Sequence, residues 1–103
     1  MISPLLERIK TAVLRVEPEA EIILFGSRAR HDFVAGSDWD LLILVNGEVD
    51  YIRTDRIRHQ LHEIEWDTGE VISSIVRSRQ VWASPQYRVT PLYKNIAHEG
   101  VRI

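Results

Sequence analysis

The sequence predicts a small α/β domain, α+β in layout, in which a mixed β-sheet is backed by helices. Three observations predict it. Short apolar runs that end in Gly or Asn-Gly alternate with segments whose apolar residues recur at helical spacing. The 103 residues suit one compact domain. With 45% hydrophobic and 27% charged residues, the chain can build a core and lacks the composition of a disordered one.

From the N-terminus, Ser3-Pro4 is a helix start, with Ser3 as N-cap and Pro4 at the first helical position, where its missing N–H costs nothing. Ile2, Leu5, Leu6, Ile9, Val13 and Val16 follow at helical spacing, so one amphipathic helix runs to near Pro18. Glu21-Ile22-Ile23-Leu24-Phe25 is too short for a helix and reads as a buried strand that exits at Gly26-Ser27. Residues 27–34 are polar and form a helical turn or a loop before Gly36. Asp38 to Val45 is the second strand, closed by Asn46-Gly47, and its connection to the first is short enough for antiparallel pairing. Val49, Ile52, Ile57, Leu61 and Ile64 place a second long helix from Glu48 to about Trp66. Thr68-Gly69 ends it, and the β-branched run from Val71 to Val76 is a third strand. The chain then reads as irregular until Pro91, where Leu92 and Ile96 support a final helix capped by Gly100.

Composition excludes several functions. A net charge of -2, from 13 basic and 15 acidic residues, rules out a protein that reads nucleic-acid phosphates by bulk charge, and no direct nucleic-acid binding is expected. The absence of cysteine removes disulfides, thiolate zinc sites and thiol nucleophiles, and suits a reducing compartment. Glu7, Arg8, Lys10 and Arg15 interrupt the N-terminal apolar positions, so neither a signal peptide nor a membrane span is expected, and the expected location is cytoplasmic. Charge is uneven: residues 1–50 carry 5 basic and 9 acidic groups, residues 51–103 carry 8 and 6. Arg53, Arg56 and Arg58 read as a solvated helix face. His59 and His62, with Glu63 on a different face and no third ligand nearby, read as a solvated pair rather than a zinc site. Trp39, Trp66 and Trp82 read as core or interface packing, with Trp39 on the covered back of the sheet.

The chemistry concentrates in Ile23-Leu24-Phe25-Gly26-Ser27-Arg28-Ala29-Arg30 and, after a polar loop, Ser37-Asp38-Trp39-Asp40-Leu41-Leu42. A strand that ends in Gly-Ser and enters a helical turn leaves backbone N–H groups pointing outward. Gly26 there admits a ligand close to the backbone, which suits phosphate oxygens. Ser27 adds a hydroxyl, and Arg28 and Arg30 add positive charge. Asp38 and Asp40 leave one face of their strand while Trp39 leaves the other. Two neighbouring carboxylates are compensated by a cation that prefers oxygen, Mg²⁺ or Mn²⁺. If the two strands pair, a phosphate cradle lies beside a metal site, as nucleoside triphosphate chemistry requires.

In order and separation, Gly26, Ser27, Ala29, Arg30, Ser37, Asp38, Asp40 and Leu41 resemble the minimal nucleotidyltransferases of the DNA polymerase β superfamily. The ending from Ser84-Pro85 through Pro91-Leu92-Tyr93-Lys94-Asn95-Ile96 to Glu99-Gly100 looks like that family's C-terminal segment. The resemblance implies a nucleotidyltransferase fold and Mg²⁺-dependent transfer of AMP from ATP to a hydroxyl, with release of pyrophosphate. It implies Asp38 and Asp40 as catalytic metal ligands, and Gly26, Ser27 and Arg30 as phosphate-binding. It also implies an antitoxin, alone or in a homo- or hetero-oligomer, that modifies a tyrosine of a HEPN-type helical toxin.

The family's pattern expects a third carboxylate on the next strand, and here that position falls on Ser73, which offers neither charge nor basicity. Asp67 and Glu70 are the nearest acids; Glu70 belongs to the opposite face of a regular strand, and only a bulge beside Gly69 would bring it round. Three readings therefore stand: a transferase slowed by the missing base, a nucleotide-binding protein with little turnover, and an antitoxin that acts by binding.

Overall fold

The computed structural model describes residues 3–103; Ile2, the first apolar position of the opening helix, lies outside them. Helix α1 (Pro4–Val16) begins where its cap requires, the Ser3 hydroxyl accepting from the Leu6 N–H at 3.2 Å. Strands β1 (Glu21–Phe25) and β2 (Trp39–Val45) pair antiparallel with Phe25 opposite Asp40, and the single-turn helix α2 (Ser27–Arg30) follows β1 directly. Helix α3 (Tyr51–Thr68) starts at Tyr51 rather than Glu48, because Asp50 caps it by accepting from the Arg53 N–H at 2.8 Å. Strand β3 (Ile72–Ser78) runs parallel to β2 in an unbroken ladder from Trp39–Ile72 to Val45–Ser78.

Two features depart from the expected segmentation. The stretch taken as irregular holds two one-turn helices, α4 (Arg79–Trp82) and α5 (Pro85–Arg88), each too short to show periodicity in sequence. After α6 (Pro91–Glu99), the two residues of β4 (Val101–Arg102) pair antiparallel with Ile23 and Leu24 of β1, which gives the sheet order β3-β2-β1-β4. Gly100 ends α6 in extended backbone, not in the left-handed region; a Cβ there would lie 2.7 Å from Ile23 Cγ2. Its role is close approach to β1.

The sheet carries two cores. Alternate residues of β2, Leu41, Ile43 and Val45, face α1 and α3 and pack with Ile9, Val13, Ile57 and Leu61. Half-buried Trp39 joins this side, on the covered back as expected. Leu42 and Leu44 face the opposite way, onto Trp82 and Ile96 with Tyr87 and Tyr93 at the margin. That second face is therefore not open along its length: α4 to α6 cover it from Leu42 onward and leave bare only the end that carries Asp40 and Ser73.

Three surface readings change. Trp66 is 90% exposed, so of the three tryptophans it is not core. Arg53 is not solvated; its guanidinium forks onto Glu17 with both N–O distances at 2.7 Å and ties the end of α1 to the first turn of α3. Glu63 does reach His59, at 3.2 Å one turn apart, on an exposed helix face. Among the described residues no helix is long and apolar enough to cross a membrane.

Candidate active site

The site forms where the ends of β1, β2 and β3 come level. Phe25 pairs with Asp40, and Asp40 with Ser73, so the Gly26-Ser27 turn, the aspartates and Ser73 fall in one row across three adjacent strands. Gly26 is required twice over. Its φ of 74° lies in the left-handed region, and a Cβ on it would collide with the Asp40 carboxylate. The aspartate and the turn are thus in van der Waals contact.

Asp38 is exposed just before β2, and Asp40 is half-buried in its first turn of pairing. Burial is the main reason the Asp40 carboxyl holds its proton above the usual aspartate range; the charges of Asp38 and Glu99 push the same way, and Arg30 opposes them. A hard divalent cation fits this pair, because it would relieve both the burial cost and the repulsion. Among the described residues no group of three or more His, Cys, Asp or Glu gathers to hold a metal. Asp38 and Asp40 would supply two carboxylate ligands to such a cation, with further positions open to substrate oxygens and water, an arrangement Mg²⁺ accepts.

Glu99 is the participant that motif spacing does not single out. One of its carboxylate oxygens, Oε2, accepts from the Gly26 N–H at 2.6 Å and from Arg30 Nη1 at 3.0 Å, with the side chain only 14% exposed. Arg30 is held on its other side by Asp32 at 3.0 Å. Two donors read as phosphate ligands, the Gly26 N–H and the Arg30 guanidinium, are thus engaged by the protein's own carboxylates. Half-buried Ser27 opens α2 directly after this turn, and the Ala29 and Arg30 N–H groups donate to the Gly26 carbonyl at 3.1 Å each. The one local signal for Glu99 is its place in the last turn of α6, where an acid opposes the helix dipole and calls for a partner elsewhere.

Arg28 leaves the anion side altogether. Its guanidinium lies 4.1 Å from the Phe33 ring centroid and 4.3 Å from that of Trp39, and it donates to the Ser37 carbonyl at 3.1 Å. Glu70 joins this back-face cluster by accepting from Trp39 Nε1 at 3.0 Å. With the β2–β3 ladder regular, no bulge turns Glu70 toward Asp40, and Asp67 is paired with Arg8. Ser73, exposed, is what flanks Asp40 on β3.

A family model described as "Nucleotidyltransferase domain" matches residues 6–101. No curated protein matches the chain. Among solved structures, the chain is similar to a toxin–antitoxin with AMP-PNP, at TM-score 0.66 and 15% identity over 93% of this chain and 69% of that one. It is similar to a point mutant of the toxin–antitoxin MntA-HpeT at TM-score 0.65 and 14% identity, over 100% and 72% of the two chains. It is also similar to an MntA-HpeT double mutant in which two aspartates two residues apart are replaced by glutamate, at TM-score 0.63 and 13% identity, over 93% and 69%. At these identities the likeness is one of fold.

Proposed function

The chain belongs to the nucleotidyltransferase domain family, and from that premise we propose that it transfers AMP from ATP to a hydroxyl of a protein partner, a helical HEPN-type toxin, and acts as that toxin's antitoxin. The observation that carries this reading is the row of Gly26-Ser27, Asp38 and Asp40 across adjoining strand ends. The solved toxin–antitoxin structures of the same fold support the partner class.

Ser27 and the backbone beside it hold the outer phosphates of the nucleotide. Glu99 and Arg30 fix the turn from behind. Asp38 and Asp40 would hold Mg²⁺ or Mn²⁺, which when bound neutralises phosphate charge. The acceptor oxygen attacks the α-phosphorus in line, the bond from that phosphorus to the bridging oxygen breaks, and pyrophosphate leaves. The hydroxyl proton passes to water, because Ser73 cannot take it.

The presence of Ser73 beside Asp40 supports a second reading, a nucleotide-binding antitoxin that neutralises its partner by contact with little turnover. Loss of a general base costs roughly 10²–10⁴ in rate. Intact mass of the partner after incubation with this protein, ATP and Mg²⁺ separates the two. An AMP-sized gain with wild type and none with the Asp38→Asn, Asp40→Asn double variant supports transfer. A stable complex whose partner keeps its mass supports the second reading. Mg²⁺-dependent nucleotide binding that is unchanged in the double variant overturns the metal assignment.

A further inference from the structure

The geometry points to the groove between α3 and the outer edge of β3 as the docking surface for an acidic, extended segment of the partner protein, the segment that carries the acceptor hydroxyl. This inference rests on the nucleotidyl-transfer reading and names where its acceptor enters.

Sheet order supplies the direction. With the phosphate-holding turn on β1 and the aspartates on β2, an in-line displacement puts the leaving group over β1 and the incoming oxygen on the opposite side, over β3. Next to Ser73 on that side lies a groove of about 820 Å³ whose walls include Ser73 and Ser74 of β3 and Arg56, Arg58, His59 and His62 of α3. Asp55 is the one acid in its lining. On a chain of net charge -2, this is a local basic strip that ends beside Asp40.

The edge of β3 decides how a segment is held there. Two of the outward-facing backbone groups are already used: the Ile72 N–H donates to Glu65 at 2.8 Å, and the Ser74 carbonyl accepts from Arg58 at 3.3 Å. Strand addition would have to displace both, so recognition runs through side chains, acidic groups meeting Arg56 and His62. A protein segment fits better than a single-stranded RNA, because no Phe, Tyr or Trp lines the groove to stack a base and its floor includes the aliphatic Leu61 and Ile72.

The test uses the full chain and three labelled probes: a twelve-residue peptide with one tyrosine flanked by Asp and Glu, the same peptide with Asn and Gln in their place, and a short single-stranded RNA. Fluorescence anisotropy is read at rising salt, with Mg²⁺-dependent binding of a fluorescent ATP analogue measured on the same samples. The acidic peptide is expected to bind tightest, to weaken with salt, and to lose about tenfold with Arg56→Glu, His62→Glu, both exposed positions. Arg15→Glu on α1 is the control and leaves peptide binding unchanged. Equal binding of the acidic and amide peptides, insensitivity to the α3 variant, or preference for the RNA overturns the docking surface. Failure of the wild type to bind the ATP analogue overturns the nucleotidyl reading instead, whatever the peptides do.

Discussion

Glu99 shows how much of a site a single carboxylate can organise. Its removal leaves the Gly26 N–H and Arg30 without their shared acceptor in a half-buried setting. Glu99→Ala is therefore expected to cost about 1–2 kcal/mol in urea unfolding, and Glu99→Gln, which still accepts, to cost less than half of that. Asp40 behaves oppositely. Because burial and Asp38 raise its proton affinity in the fold, its ionised form weakens the native state, and that penalty appears as pH rises through the raised value. Without ligand, Asp40→Asn is expected to melt about 1–3 °C higher than wild type at neutral pH while losing Mg²⁺-dependent nucleotide binding about tenfold or more; differential scanning fluorimetry and titration calorimetry read the two effects. At this scale, Gly26, Ser27, Asp38 and Asp40 are legible in the sequence because turn and strand geometry act over two or three residues. Glu99 is not, because its partner is 73 positions away. Nor is the diversion of Arg28, which depends on two rings brought together only by folding.

At the scale of elements, caps and periodicity announce α1 and α3, and hidden partners set their mutual anchoring. The Arg53 fork holds the Glu17 carboxyl below the usual glutamate range, chiefly through its hydrogen bonds, against a smaller opposing effect of burial. That stability is present above glutamate's ordinary pKa and is lost as pH falls through the lowered one. Arg53→Ala is expected to cost about 1–2 kcal/mol at neutral pH, and the gap from wild type should close on acidification, as urea midpoints across pH would record. Helix α2 ends on His31, whose φ of 63° places a non-glycine residue in the left-handed region. His31→Gly is expected to stabilise the fold by up to about 1 kcal/mol and to raise its melting temperature by several degrees. The single-turn helices α4 and α5 and the two-residue β4 leave too few positions for any period to emerge, which is why the sequence reads as loop where the structure packs Trp82.

For the whole molecule, the mixed sheet with helices behind it follows from alternating short apolar runs and amphipathic stretches, and the β1–β2 pairing from their short connection. Helices over the second face do not follow from that pattern, since the residues that build this cover are dispersed through a segment with no period. The sheet also has to manage its edges. β4 is two residues long, and β3 has one outward N–H closed by Glu65 and one outward carbonyl closed by Arg58, which narrows the free length of either edge. Glu65→Ala with Arg58→Ala is expected to produce concentration-dependent dimers, read by sedimentation velocity, where wild type at the same concentration shows none through this edge. The bond from Glu99 to the Gly26 N–H has a temporal meaning as well. A ribosome delivers Gly26 long before Glu99, and β1 must wait equally long for β4. The nascent chain can lay down its hydrophobic layers early, but the Gly26-Ser27 turn acquires its final contacts only after residue 99 has emerged. An unfinished chain therefore lacks the settled row of turn and aspartates, and the last turn of α6 serves as the mark that synthesis has reached that far.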